Sequence, residues 1–234
     1  MVTADPASPP AVTVVVMAFN EAGNLEEVVR EIRAALDRLG RGAEILVVDD
    51  GSTDGTGAIA DGLSGSVRDL RVVHHAPNGG LGAVYRTGFT QARGDLITFF
   101  PADGQFPASI LESFVPAMEG RDMVLGYVPR RDSLVGRLLS GAERAAYRLL
   151  LGPIPRFQGV FMVRREALAR ITLHSQGRGW AIVMEMLARG ARAEWRMKSV
   201  PTGIRARLSG TSKVQNVRTI WSNLLQVLAL RGRL

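Results

Sequence analysis

The chain has 234 residues, 46% of them hydrophobic, and a formal net charge of +7, which suits one domain or a domain with an appendage around a sizeable core. It has no cysteine and only three scattered histidines (His74, His75, His174), so disulfides and thiolate metal sites are excluded and a histidine-based zinc site is disfavoured. The positive charge favours an anionic partner: a phosphorylated substrate, a membrane surface or nucleic acid.

The first ten residues, "MVTADPASPP", lack the basic and apolar regions of a signal peptide and read as a short disordered lead. "AVTVVVM" (11–17) is a β-branched run of buried-strand character. Residues 24–40 have helical periodicity, with Leu25, Val28, Val29, Ile32, Ala35, Leu36 and Leu39 on one face and Gly40 as the stop. Strands are expected at 44–50, 70–75, 95–100 and 122–127, and helices at 55–63, 82–92 and 109–118. This alternation indicates an α/β domain with a mostly parallel sheet. In such sheets ligands bind beyond the carboxyl ends of the strands.

The polar segments fall at those ends: "AFNE" (18–21), "DDGSTDGT" (49–56), "NGGLG" (78–82) and "ADGQ" (102–105). Any one of them reads equally as a turn, since Gly, Asn, Asp and Ser are turn formers. Four in succession point to one cleft. His74 and His75 end the third strand and read as structural residues.

The pattern changes after residue 128. Residues 134–152 read as a basic amphipathic helix, with Leu134, Leu138, Ala145 and Leu149 expected on one face and Arg137, Arg144 and Arg148 on another. A strand or turn followed by a helix start is expected at 157–168, a helix at 181–190 and an extended strand at 196–207. A last amphipathic helix is expected at the end, with Val214, Val217, Trp221, Leu224, Leu225 and Leu228 on its apolar side. Such helices either lie in a headgroup layer or pack on the domain, and both readings stand. Trp180 and Trp221 read as core or interface residues. No run of 18 apolar residues is present, so no segment reads as a membrane span.

In "FFPADGQF" (99–106) a strand runs into Asp103 beside Gln105, with Pro101 where a paired acid would stand. Together with "VVVMAFNEAGNL" (14–25), "ILVVDDGSTDGT" (45–56), "NGGLGAVYRTGF" (78–89), "GVFMVRREAL" (159–168), "MEM" (184–186) and "VPTGIRARLSGTSKV" (200–214), it gives an ordered set of motifs. With these the chain resembles a family-2 glycosyltransferase of the GT-A fold, and within it the dolichol-phosphate mannosyltransferase (polyprenyl-phosphate glycosyltransferase) group. The resemblance runs from about residue 12 to residue 225, and the R-x-x-G-x-S-K tail (Arg207 to Lys213) narrows it to the polyprenyl-phosphate branch.

The resemblance implies a catalytic domain over 11–213, with a nucleotide-binding half (11–128) and an acceptor half (129–213), followed by the amphipathic helix 214–234. It implies that Ala18, Phe19, Asn20, Glu21, Asp50 and Ser52 hold the nucleoside of a nucleotide-diphosphate sugar. Asp103 and Gln105 would hold a divalent metal, Mg2+ or Mn2+, against the donor diphosphate. Arg207, Ser212 and Lys213 would cover that diphosphate, and Asp103, Arg207 and Lys213 would carry the catalysis. Arg130, Arg131, Arg137 and Ser140 would meet the acceptor phosphate. The implied reaction inverts a hexose of GDP-mannose or UDP-glucose type onto a polyprenyl phosphate, by a protein peripheral on the cytosolic membrane face.

The departures are local. Met17 stands for a Pro, Pro101 for the first acid of D-x-D, Arg156 for an Asp, Met162 for an Arg, and Gly136 for an acceptor-site Arg. Pro101 removes a ligand and an N–H, so the metal site is expected to be thinned but usable, since magnesium often takes one or two protein carboxylates and fills its shell with phosphates and water. A phosphate monoester, with its second pKa near about 6, attacks without a base, whereas a sugar hydroxyl needs a carboxylate. Arg156 and Gln158 lie where that carboxylate would be. Other readings are transfer to a lipid or natural-product alcohol and a non-catalytic nucleotide-sugar or lipid-binding protein. Nucleic acid is disfavoured because basic residues lack aromatic interleaving. A dinucleotide-dependent dehydrogenase is disfavoured because the first strand leads into "MAFNE" and not a Gly-rich turn.

Overall fold

The computed structural model describes residues 11–129 and 155–205. The lead at 1–10, the basic helix expected at 134–152 and the terminal helix expected at 214–234 lie outside the described residues.

The described chain is a seven-stranded sheet in the order β3-β2-β1-β4-β6-β5-β7. β1 (Val12–Ala18), β2 (Ala43–Asp49), β3 (Leu70–His74) and β4 (Leu96–Pro101) run parallel. β6 (Phe161–Arg164) is inserted antiparallel between β4 and β5 (Met123–Tyr127), and β7 (Met197–Pro201) closes the sheet parallel to β5. Two reversals at β6 restore direction, so β5 and β7 end at the same edge as β1, β2 and β4.

Both faces of the sheet are covered, which is why its strands read as continuous apolar runs. Val12, Val14 and Val16 point to the face packed by α1 (Leu25–Leu39), α2 (Thr56–Ser66) and α4 (Ile110–Ala117). Val15 and Met17 point to the other face, under α3 (Leu81–Gln91), α5 (Arg165–Ala169) and α6 (Ala181–Arg192). α1 buries Leu25, Val28, Val29, Ile32, Ala35 and Leu36, each large side chain contributing about 1.5–3 kcal/mol. It ends at Gly40, whose φ of 62° suits a residue without Cβ. Under α3, Tyr85 packs 4.7 Å from Phe99, and Trp180 joins this cluster 6.0 Å from Tyr85. Among the described residues no helix is long and apolar enough to cross a membrane.

Candidate active site

The polar segments gather on one edge. Ala18 is in register with Asp49, and Met17 with Pro101. The Asp50 N–H donates to the Ala18 carbonyl at 2.9 Å, and the Ala102 N–H to the Met17 carbonyl at 2.9 Å. Ala18, Asp50 and Asp103 therefore follow adjacent strand ends, as expected for an α/β ligand cleft.

Asn20 and Glu21 are placed by the loop after β2. Asn20 holds a φ of +54°, a left-handed conformation that Asn tolerates better than most residues. Its N–H donates to Ser52 Oγ (2.9 Å), and its Oδ1 accepts the Thr53 N–H (2.8 Å). The Glu21 N–H donates to Thr56 Oγ1 (2.8 Å), and Glu21 Oε2 accepts the Asn24 amide (2.7 Å). Phe19, 38% exposed, is one of two large apolar side chains left open to solvent among the described residues.

Beneath this loop sit two buried acids. Burial alone would raise the Asp49 carboxyl, but hydrogen bonds from Ser52 and His74 outweigh it and hold its pKa below the ordinary value. Asp50 is 3% exposed and spends both oxygens on the loop before α3. Oδ1 meets His75 Nδ1 (2.7 Å) and the Gly79 N–H (2.9 Å), and Oδ2 accepts from Asn78 Nδ2 (2.8 Å) and the Gly80 N–H (2.8 Å). Asp50 thus acts here as the anchor of residues 75–80.

The same loop is clasped from the far half of the chain. Arg178 Nη1 donates to the Asn78 carbonyl at 3.0 Å, and Nη2 to Asn78 Oδ1 at 2.5 Å. The Arg178 carbonyl accepts the Gly82 N–H at 2.9 Å. A Cβ on Gly82 would lie 1.9 Å from the Gly177 carbonyl, so this approach requires glycine. The fully buried Glu185 fixes the clasp by accepting the His174 and Ser175 N–H groups and the Arg189 guanidinium. Burial pushes its pKa up, and those bonds bring it below the ordinary value.

Asp103 is 6% exposed, and its Oδ1 accepts the Gln105 N–H at 3.0 Å. The loop is held by Arg205, whose N–H donates to the Gln105 carbonyl (2.9 Å) and whose Nε donates to the Gly104 carbonyl (2.5 Å). Among the described residues no group of three or more His, Asp or Glu could hold a metal ion. One carboxylate and one amide, both oxygen donors, nevertheless fit a hard divalent ion that keeps water and diphosphate oxygens as its other ligands.

On the far side of the edge lie Tyr127, Arg156 and Gln158. The Gln158 N–H donates to the Gly126 carbonyl at 2.7 Å. Arg130, Arg131, Arg137, Ser140, Arg207, Ser212 and Lys213 lie outside the described residues. Sequence reasoning missed Asp49, Asn78, Arg178, Glu31 and Arg205 as builders of the site. The doublet at 49–50 was a usable signal for Asp49; the others gain their roles only from contacts between distant segments.

The model of glycosyl transferase family 2 matches residues 13–172. The chain is 31% identical over 94% of its length to the dolichol-phosphate mannosyltransferase of Pyrococcus furiosus, of which it spans 63%, less than two thirds. It is 32% identical, again over 94% of its length, to the polyprenol monophosphomannose synthase of Mycolicibacterium smegmatis, of which it spans 88%. Among solved structures it is similar to a mannosyltransferase from Pyrobaculum calidifontis in complex with GDP-Man and Mn2+ (TM-score 0.71, 23% identity, 98% of this chain and 66% of that one). It is also similar to glucosyl-3-phosphoglycerate synthase from Mycobacterium tuberculosis in complex with Mn2+, UDP-glucose and phosphoglyceric acid (TM-score 0.71, 21% identity, 95% of this chain and 80% of that one). The mostly parallel sheet with β6 reversed is accordingly the GT-A fold, and with its motifs at the strand ends the chain belongs to glycosyl transferase family 2.

Proposed function

We propose that this glycosyltransferase moves a hexose, from a donor of GDP-mannose or UDP-glucose type, to a polyprenyl phosphate with inversion at the anomeric carbon. The observation that carries the reading is the likeness, at 31% and 32% identity over 94% of this chain, to two polyprenol-phosphate mannose enzymes.

Ala18, Phe19, Asn20, Glu21 and Ser52 border the nucleoside, and Asp50 positions the 78–80 loop beside it. Asp103 and Gln105 hold a divalent cation, Mg2+ or Mn2+. When bound, that cation offsets the charge gained by the leaving diphosphate. Arg207 and Lys213 add a forked and a point-like positive charge to the diphosphate, with Ser212 as a hydroxyl donor. The acceptor phosphate is met by Arg130, Arg131, Arg137 and Ser140. As a largely dianionic monoester at neutral pH it attacks without a protein base. The net charge of +7 and a lipid acceptor support a peripheral position on the cytosolic face of a membrane.

The test is a donor panel. Full-length protein is incubated with GDP- and UDP-sugars, a short polyprenyl phosphate and Mg2+ or Mn2+, and glycosyl lipid is sought by mass spectrometry. A lipid product names the sugar and supports the reading. Hydrolysis or binding of a donor with no lipid product from any combination overturns it.

A further inference from the structure

We infer that Arg156, held over the ring of Tyr127, binds the phosphate monoester of the acceptor, an inference that rests on the reading just proposed. Its position comes first. β5 ends at Tyr127 on the same edge as Asp103, because two antiparallel pairings separate β5 from β4. Two hydrogen bonds fix the Arg156 loop beside β5 and β7, one from the Gln158 N–H to the Gly126 carbonyl (2.7 Å) and one from the Ser199 hydroxyl to the Arg156 carbonyl (2.7 Å). The loop also touches the segment after Asp103: a Cβ on Gly159 would lie 2.3 Å from the Phe106 ring. An acceptor that attacks a sugar still joined to a diphosphate at Asp103 must place its phosphate about one sugar ring away from that loop.

Its charge comes second. The Arg156 guanidinium carbon lies 5.9 Å from the Tyr127 centroid, and the residue is exposed. A ring face steers a guanidinium without cancelling its charge. Arg205, which holds the Asp103 loop on this edge, is paired with Glu31, whereas no ion pair joins Arg156 to a carboxylate among the described residues. A guanidinium matches a phosphate monoester through paired N–H donors.

The same chemistry could belong to the donor diphosphate or to free phosphate, and the experiment separates these. Calorimetry measures binding of a short prenyl phosphate, inorganic phosphate and GDP or UDP to the full chain and to the Arg156→Gln, Arg156→Lys and Tyr127→Leu variants. Acceptor and donor KM are measured alongside. Arg156→Gln is expected to weaken prenyl phosphate binding and raise acceptor KM about tenfold, leaving nucleotide affinity and the melting temperature unchanged. Arg156→Lys recovers part of the loss, and Tyr127→Leu gives a smaller one. Unchanged prenyl phosphate binding in Arg156→Gln overturns the inference. So does an equal loss of nucleotide affinity, and so does an effect on inorganic phosphate alone. Arg156-dependent prenyl phosphate binding without turnover of any donor upholds this inference and sinks the proposed reaction instead.

Discussion

The Glu31 carboxylate on α1 and the Arg205 guanidinium beyond β7 meet beside the loop that carries Asp103. The other Glu31 oxygen accepts the Ala108 N–H at 3.0 Å. Because Arg205 also donates to Gly104 and Gln105, one ion pair braces the Asp103 loop from both ends. Glu31→Gln is expected to destabilise the fold by about 1 kcal/mol, the scale of a partly exposed charged hydrogen bond, and to lower the melting temperature by about 2–4 °C. A double-mutant cycle with Arg205→Ala, read by thermal melting, checks this: additive losses would show that the two side chains act independently.

His74 makes a pH prediction. Its Nδ1 lies 3.0 Å from Asp49 and its Nε2 3.1 Å from Asp61, and these bonds raise its pKa above the ordinary 6.5. A group whose pKa is higher in the folded state stabilises fully below the unfolded value and loses that contribution as pH rises through the folded one. The lowered Asp49 carboxyl acts in a separate window, losing its contribution only as pH falls through its depressed value. Melting temperature at low salt should therefore decline modestly as pH rises above about 6.5 and through the raised value that His74 has in the folded state, and His74→Gln should flatten that slope. The His74 side chain is 41% exposed, so the effect is small.

Gly159 combines a φ of +96° with a ring where its Cβ would be, so Gly159→Ala should cost about 1–3 kcal/mol and disturb the Asp103 loop. Gly203→Ala serves as the control, since its Cβ meets only Pro107, at 3.9 Å. Chemical denaturation of the two variants gives the comparison; similar midpoints would contradict the packing argument.

Pro101 ends β4 in register with Met17, two residues before Asp103. Pro101→Asp adds a second carboxylate at this edge. In the presence of GDP or UDP it should lower the half-saturating Mn2+ concentration about tenfold, since cation affinity follows the charge of the ligand set. Electron paramagnetic resonance of free Mn2+ reads this without turnover. No change would place residue 101 outside the metal's reach.

The parallel half of the sheet was legible because β1 is a continuous β-branched run, buried on both faces, and because α1 repeats its apolar residues at helical spacing. The edge site was legible because polar residues follow four successive apolar runs. The reversal of β6 was not, since four residues reading Phe-Met-Val-Arg carry no mark of direction. Nor were the braces: Arg205 and Glu31 are 174 positions apart, Arg178 and Asn78 are 100 apart, and neither spacing has a local signature. The place of Asp50 beside a nucleoside came from the resemblance alone, and its four partners at residues 75, 78, 79 and 80 come from the tertiary fold and have no local signature.

The central claim is a phosphate acceptor in this cleft, and the most direct measurement compares a polyprenyl phosphate with the polyprenol of equal chain length, using one donor and the same metal. The account predicts glycosyl product from the phosphate alone, with a rate that levels off once the monoester is dianionic, above about pH 7. Equal or better use of the alcohol, with a rate that depends on a protein base, would contradict it.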